Sequence, residues 1–162
     1  MFDHLLVTTD GSPLGNRALP IAADVARTYG SKLTLVYVMP PVAVSMMYAQ
    51  GGYGFDAEAE RKQLVDEAER ILAEGLKVID YPGARSVRLE PGVFQVALAI
   101  AGEVERLNAK LVVMGTHGRS GLAHFFLGSV AEEVLRSVKV PVLFVPRQAS
   151  VATHPAPQEA RA

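Results

Sequence analysis

Two kinds of apolar pattern alternate along the chain. Continuous apolar runs occur at His4 to Thr9, Lys32 to Val38, Lys110 to Gly115 and Pro141 to Pro146. A strand covered on both faces needs no polar side, so runs of this length predict buried parallel strands. A fifth run, Arg85 to Glu90, alternates instead, with Val87 and Leu89 on one side and Ser86, Arg88 and Glu90 on the other. Charge on one side predicts a strand with one wet face, at a sheet edge.

Helical patterns separate these runs. Leu14, Ala18, Ile21, Ala22, Val25 and Tyr29 recur every three or four residues after Ser12-Pro13. A serine cap followed by proline is a helix start signal. Pro20 lies inside this pattern and predicts a kink. The second helix is predicted from about Ala57 to Ile79, with Leu64, Ala68, Ile71, Leu72 and Val78 on one face and Asp56 as its cap. The third carries Val93, Val96, Ala97, Ile100, Val104 and Leu107. The fourth opens at Ser129 and turns Val130, Val134, Leu135 and Val138 inward.

Strands and helices in strict alternation predict an α/β fold with a mostly parallel, doubly wound sheet and helices on both faces. In such folds ligands bind at the carboxyl ends of the strands, where the strand order reverses. That rule points to Thr9–Ser12, Val38–Pro41 and Gly115–Ser129. Met39 to Phe55 is long for a strand-to-helix loop and reads as a lid or an insertion. Gln148 to Ala162 is rich in Ala and Pro without a periodic face, which predicts a disordered tail. The expected organisation is one α/β domain over residues 1–147 and a tail over 148–162. A length of 162 residues agrees with a single domain.

Composition narrows the chemistry. Sixteen Lys and Arg against 17 Asp and Glu give a net charge of −1, which argues against a broad nucleic-acid or anionic-membrane surface. Cysteine is absent, so disulfides, thiol catalysis and thiolate metal sites are excluded. No apolar run approaches the ~20 residues of a membrane span. No basic, apolar leader precedes the first strand. A soluble, cytoplasmic protein is the expectation.

Two segments could carry chemistry. Gly115 and Gly118 are followed after nine residues by Gly128-Ser129, between a strand end and a helix start. Glycines let backbone N–H groups approach a ligand, and a helix start adds free donors and positive potential. Together they suit an anion such as phosphate, with Arg119 as an added cation. The same glycines also serve ordinary turns, and Ser129 with Glu132 fits a capping box that needs no ligand. Asp10-Gly11-Ser12 ends the first strand. Its carboxylate could hold ribose hydroxyls or Mg²⁺, or form an Asx turn. Neither a Walker A sequence nor a G-x-G-x-x-G fingerprint occurs.

Taken together, these segments resemble the universal stress protein family over about Phe2 to Pro146. The resemblance rests on Val113 to Gly121, on Gly128 to Val134, on Asp10-Gly11-Ser12 and on the ending Val140-Pro141-Val142. The Gly-x2-Gly-x9-Gly-Ser spacing is similar to that of the family's ATP-binding members. It implies a Rossmann-like five-stranded sheet of order 3-2-1-4-5. It also implies an adenine-nucleotide pocket. Asp10 and Gly115 would face the ribose, and the Val38 backbone would face the adenine. Val7 and Met114 would line the slot. Gly118, Gly128, Ser129 and Val130 would hold the phosphates. ATP, with Mg²⁺ carried on its phosphates, is the implied ligand. A homodimer joined along the last strand, Val142, Leu143, Phe144 and Val145, is the implied assembly.

Hydrolysis requires an activated water and charge neutralisation at the phosphoryl group. The candidates are Asp10, His117, His124 and Arg119, and no Lys occurs from Gly115 to Glu133. Binding with at most slow hydrolysis is expected, as in a nucleotide-dependent regulator of the stress response. A phosphoacceptor receiver domain would need an acidic pair after strand one and a Lys after strand five. The chain has one Asp at the first place and Pro146-Arg147 at the second. A nucleotide-free homodimeric interaction module is the remaining alternative.

Overall fold

Five strands form one sheet: β1 (His4–Thr9), β2 (Lys32–Val38), β3 (Arg85–Leu89), β4 (Leu111–Gly115) and β5 (Val142–Val145). The computed structural model describes residues 1–41, 56–90, 95–116 and 128–146. The strand order is β3-β2-β1-β4-β5, and every pairing is parallel. Among the described residues four helices connect them: α1 (Ala18–Tyr29, after a 3₁₀ turn at Gly15–Arg17), α2 (Ala57–Ile79), α3 (Val96–Leu107) and α4 (Ser129–Ser137). The chain winds outward from β1 to β3, then returns to β4 on the other flank of β1. The order therefore reverses between β1 and β4, and the fold is the doubly wound, Rossmann-like one expected from the alternation.

The pleat of β1 explains the two layers. Successive side chains point to opposite faces. Leu5 and Val7 join a core with Leu33, Leu35 and helices α1 and α2, while Leu6 joins Val36, Val112 and Met114 under α3 and α4. All of these strand residues are buried, which is why the runs are continuously apolar. Alanines at 18, 22, 23 and 26 bring α1 close to the sheet. On α2, Gly75 does the same, because a Cβ there would meet Leu35 Cδ2 at 2.7 Å.

Edge strand β3 keeps its alternation for the expected reason. Arg88 pairs with Glu69 at 3.4 Å and with Glu90 at 3.1 Å, and Arg61 reaches Glu90 at 2.8 Å. The Arg61 guanidinium, bonded to Glu90, holds that carboxyl below the usual range. Arg88 is half-buried and its partners are more open, so these pairs add little stability, but Arg88–Glu69 and Arg61–Glu90 link α2 to the edge.

Three local expectations are corrected. Pro20 does not lie mid-helix, because the α-helix begins only at Ala18. Pro20 falls in the first turn, where its missing N–H has no helical acceptor to lose. Ser12 does not cap the α-helix: its Oγ accepts from the Gly15 N–H at 3.0 Å, ahead of a 3₁₀ turn whose capping position is Leu14. On α4, Ala131 and Val134 face the core, while Val130 and Leu135 are exposed. Asp56 caps α2 as expected, accepting from Glu58 and Ala59 N–H at 3.0 and 3.1 Å.

Candidate functional site

A cavity of about 380 Å³ opens at the carboxyl ends of β1, β2 and β4, beside the start of α4. This is the place where the strand order reverses, and the volume lies in the range of small-ligand sites. Its apolar walls are Val38, Val96, Ile100, Met114 and Ala131. Its polar rim carries Thr8, Thr9, Asp10, Thr116 and Ser129. Asp10 is the one ionisable side chain among the described residues of the lining.

The turn after β1 builds one wall. Asp10 Oδ1 accepts from the Ser12 N–H at 3.0 Å and the Ser12 hydroxyl at 2.6 Å. This is the Asx turn that the sequence allowed, and it sets Asp10 in the cavity wall rather than removing it. Thr9 Oγ1 donates to Asn16 Oδ1 at 2.5 Å and accepts from the Gly11 N–H at 2.9 Å. Gly11 has φ +78°, a conformation that favours glycine, and a Cβ there would press on Ile71. Gly15 is also forced: a Cβ at that position would collide with the Asp10 carboxylate.

The start of α4 builds the opposite wall. Gly128, not Ser129, is the capping residue, and no side chain caps this helix among the described residues. The Ser129-Glu132 capping box does not form. The bond between these turns is backbone to backbone, from Glu132 N–H to the Gly128 carbonyl at 2.9 Å. The Gly128 N–H donates to the Thr116 carbonyl at 2.9 Å and ties the helix start to the end of β4. Thr116 in turn donates its N–H to the Val145 carbonyl at 3.1 Å. Gly128, Ser129 and Val130 therefore line the mouth with first-turn backbone, where the helix dipole is positive.

Of the residues singled out in the sequence, Asp10, Val38, Met114, Gly115, Gly128, Ser129 and Val130 line this one cavity. Val7 does not. It is fully buried on the α1–α2 face, because the pleat turns it away from the α3–α4 side. Gly118, Arg119, His117, His124 and the stretch 119–127 lie outside the described residues, as do residues 42–55 and the tail from 147. Sequence reasoning missed Thr8, Gly15, Val96, Ile100 and Ala131; Thr9 and Thr116, also in the lining, fall in the strand-end segments it pointed to without being singled out. Two consecutive threonines at the end of an otherwise apolar strand were a legible signal for a wet strand end. Val96 and Ile100, four apart on α3, were legible only as core. Among the described residues no group of three His, Asp or Glu side chains is placed to hold a metal ion.

The chain matches the model of the universal stress protein family over residues 1–146. A universal stress protein of Thermus aquaticus is 32% identical over 146 residues, covering 90% of this chain and 99% of its own. Among solved structures, the hypothetical protein MJ0577 aligns with a TM-score of 0.74 at 22% identity, over 93% of this chain and 99% of that one. A universal stress protein in complex with cAMP aligns at 0.59 and 24% identity, over 91% and 98% of the two chains. One from Archaeoglobus fulgidus in complex with dAMP aligns at 0.60 and 22%, over 89% and 97%.

Proposed function

The chain belongs to the universal stress protein family, and from that membership we propose that it binds ATP in the cavity at the ends of β1, β2 and β4. The observation that carries the reading is the pairing of an apolar slot with an amide-lined rim in one cavity. Val38, Ile100 and Met114 offer the flat apolar walls that a purine ring fills. The uncapped first turn of α4, Gly128 to Val130, offers N–H donors to phosphate oxygens. Asp10, steadied by Ser12, is the carboxylate for the ribose hydroxyls. Two fold relatives solved with cAMP and dAMP support an adenine nucleotide as the ligand class.

The donor set fits a nucleotide whose phosphates carry their own Mg²⁺. Bound with them, the ion would neutralise phosphate charge, and Asp10 is the carboxylate in the lining that could face it. The reading is a cytoplasmic stress-response regulator whose state follows nucleotide occupancy, with hydrolysis slow at most. It acts as a homodimer joined along β5. That strand lies at the sheet edge, and Leu143 on it is 37% exposed.

Titration calorimetry with ATP and Mg²⁺ tests the reading, comparing the protein with Gly128→Val. Valine adds bulk at a lining position in the turn proposed to hold phosphate, so affinity should fall roughly tenfold or more while the circular dichroism stays unchanged. Absence of ATP binding by the unsubstituted protein would overturn the proposal and favour the nucleotide-free dimer module.

A further inference from the structure

Five polar or charged side chains are buried among the described residues: Thr8, Thr9, Ser31, Thr34 and Glu103. A buried polar group without a partner costs free energy, so each is expected to be bonded. Four are. Thr9 donates to Asn16 at 2.5 Å. The Ser31 hydroxyl donates to the Phe2 carbonyl. The Thr34 hydroxyl pairs with His4 Nε2 at 2.8 Å. Glu103 accepts two bonds from Arg106, at 2.7 and 2.6 Å.

Thr8 is the exception. Its side chain is 9% exposed, its hydroxyl has no hydrogen-bond partner among the described residues, and it lines the cavity. The hydroxyl is not sealed inside the protein either. The one sealed, unpartnered side-chain atom among the described residues is Arg88 Nε. Thr8 shares the parity of Leu6, so it points to the α3–α4 face, the side of Ile100 and Met114. In the sheet it sits opposite Val36, two residues short of the strand-end position of Val38. It is a polar group on the side of the cavity lined by the buried Ile100 and Met114.

We propose that Thr8 is a specificity-determining binding residue whose hydroxyl hydrogen-bonds the nucleoside part of the bound nucleotide. This rests on the nucleotide reading above. A hydroxyl can donate once and accept twice, which suits the edge of a base or a sugar hydroxyl. A charged phosphate set against the apolar side chains beside Thr8 would be costly to desolvate. A ligand with no polar atom at this place leaves the hydroxyl buried and unpaired, and is rejected on that account.

The test measures binding of adenosine and of ATP with Mg²⁺ to the full chain, to Thr8→Val and to Thr8→Ser. Valine keeps the shape and removes the hydroxyl, and serine keeps the hydroxyl. Thr8→Val should weaken both ligands by the same factor, roughly three- to tenfold, and Thr8→Ser should restore most of the loss. Without ligand, Thr8→Val should melt at the same temperature or higher, because no protein bond is broken. Unchanged affinity in Thr8→Val would overturn the proposal. So would a loss confined to ATP, or a clear fall in the melting temperature of the ligand-free variant. Failure of the unsubstituted protein to bind either ligand would instead overturn the nucleotide reading, and this inference with it.

Discussion

The Asp10 carboxylate is held from two sides, by the two bonds from Ser12 and by the absence of a Cβ on Gly15. The sequence presented Asp10 as either a turn residue or a ligand residue. In the structure the Asx turn fixes the side chain in the cavity wall, so the turn is compatible with the proposed ligand role. Gly15 was not legible as a site residue, because its reason lies in a contact five positions away from its partner in the chain. At His4 the residue scale gives a pH dependence. Burial, then the nearby cations Lys32, Arg106 and Arg85, push its pKa below 6.5, against the raising effect of the Leu107 carbonyl. The unfolded chain therefore takes up the proton first, and protonation favours unfolding. Stability should fall as pH drops through 6.5 and level off below the depressed folded value. Denaturant unfolding at pH 7.5 and 5.5 should show a larger loss for the wild type than for His4→Gln. Equal losses would contradict this account of His4.

At the scale of elements, the strands were legible because burial on both faces leaves continuous apolar runs, and their observed ends differ from the pattern by a residue at most. Helix starts were less legible. Ser12-Pro13 and Ser129 both look like caps, yet Ser12 bonds the Gly15 N–H ahead of a 3₁₀ turn that begins after Leu14, and Ser129 lies inside α4. A cap is set by backbone dihedrals that residue type only biases. The inward face of α4 differs from the apolar spacing for a related reason. The spacing points Val130 and Leu135 inward, but Ala131 and Val134 are the residues of α4 that are buried. With the cap at Gly128, no side chain among the described residues caps the first turn of α4, which matters for the site. Asp56 is the contrasting case of a cap read correctly. Asp56→Ala should destabilise the protein by about 1 kcal/mol, measured by chemical denaturation, through loss of the two bonds to the α2 amides. A change near zero would mean that the start of α2 is held by its neighbours instead.

For the whole molecule, the alternation of elements points to the strand-end place where the cavity is found. The strand order reverses between β1 and β4, and the cavity opens there. The depth of the cavity was not legible, because Thr8, Val96 and Ile100 come from separate elements that only packing brings together. The assembly proposal belongs to this scale too. β5 ends the sheet with four consecutive apolar residues that are at most partly buried, and a bare edge of that kind invites pairing. Light scattering should give the mass of a dimer for the full chain, and Leu143→Glu should shift it toward monomer. A monomeric wild type would rule out the β5 dimer. The central claim, that the cavity is a nucleotide site, is tested most directly by amide-resolved NMR during titration with ATP and Mg²⁺. The account predicts shifts concentrated at Thr8 to Asp10, Val38, Met114 to Thr116 and Gly128 to Ala131. An unchanged spectrum, or shifts gathered elsewhere, such as along the groove of α2 near Asp56 and Val65, would contradict it.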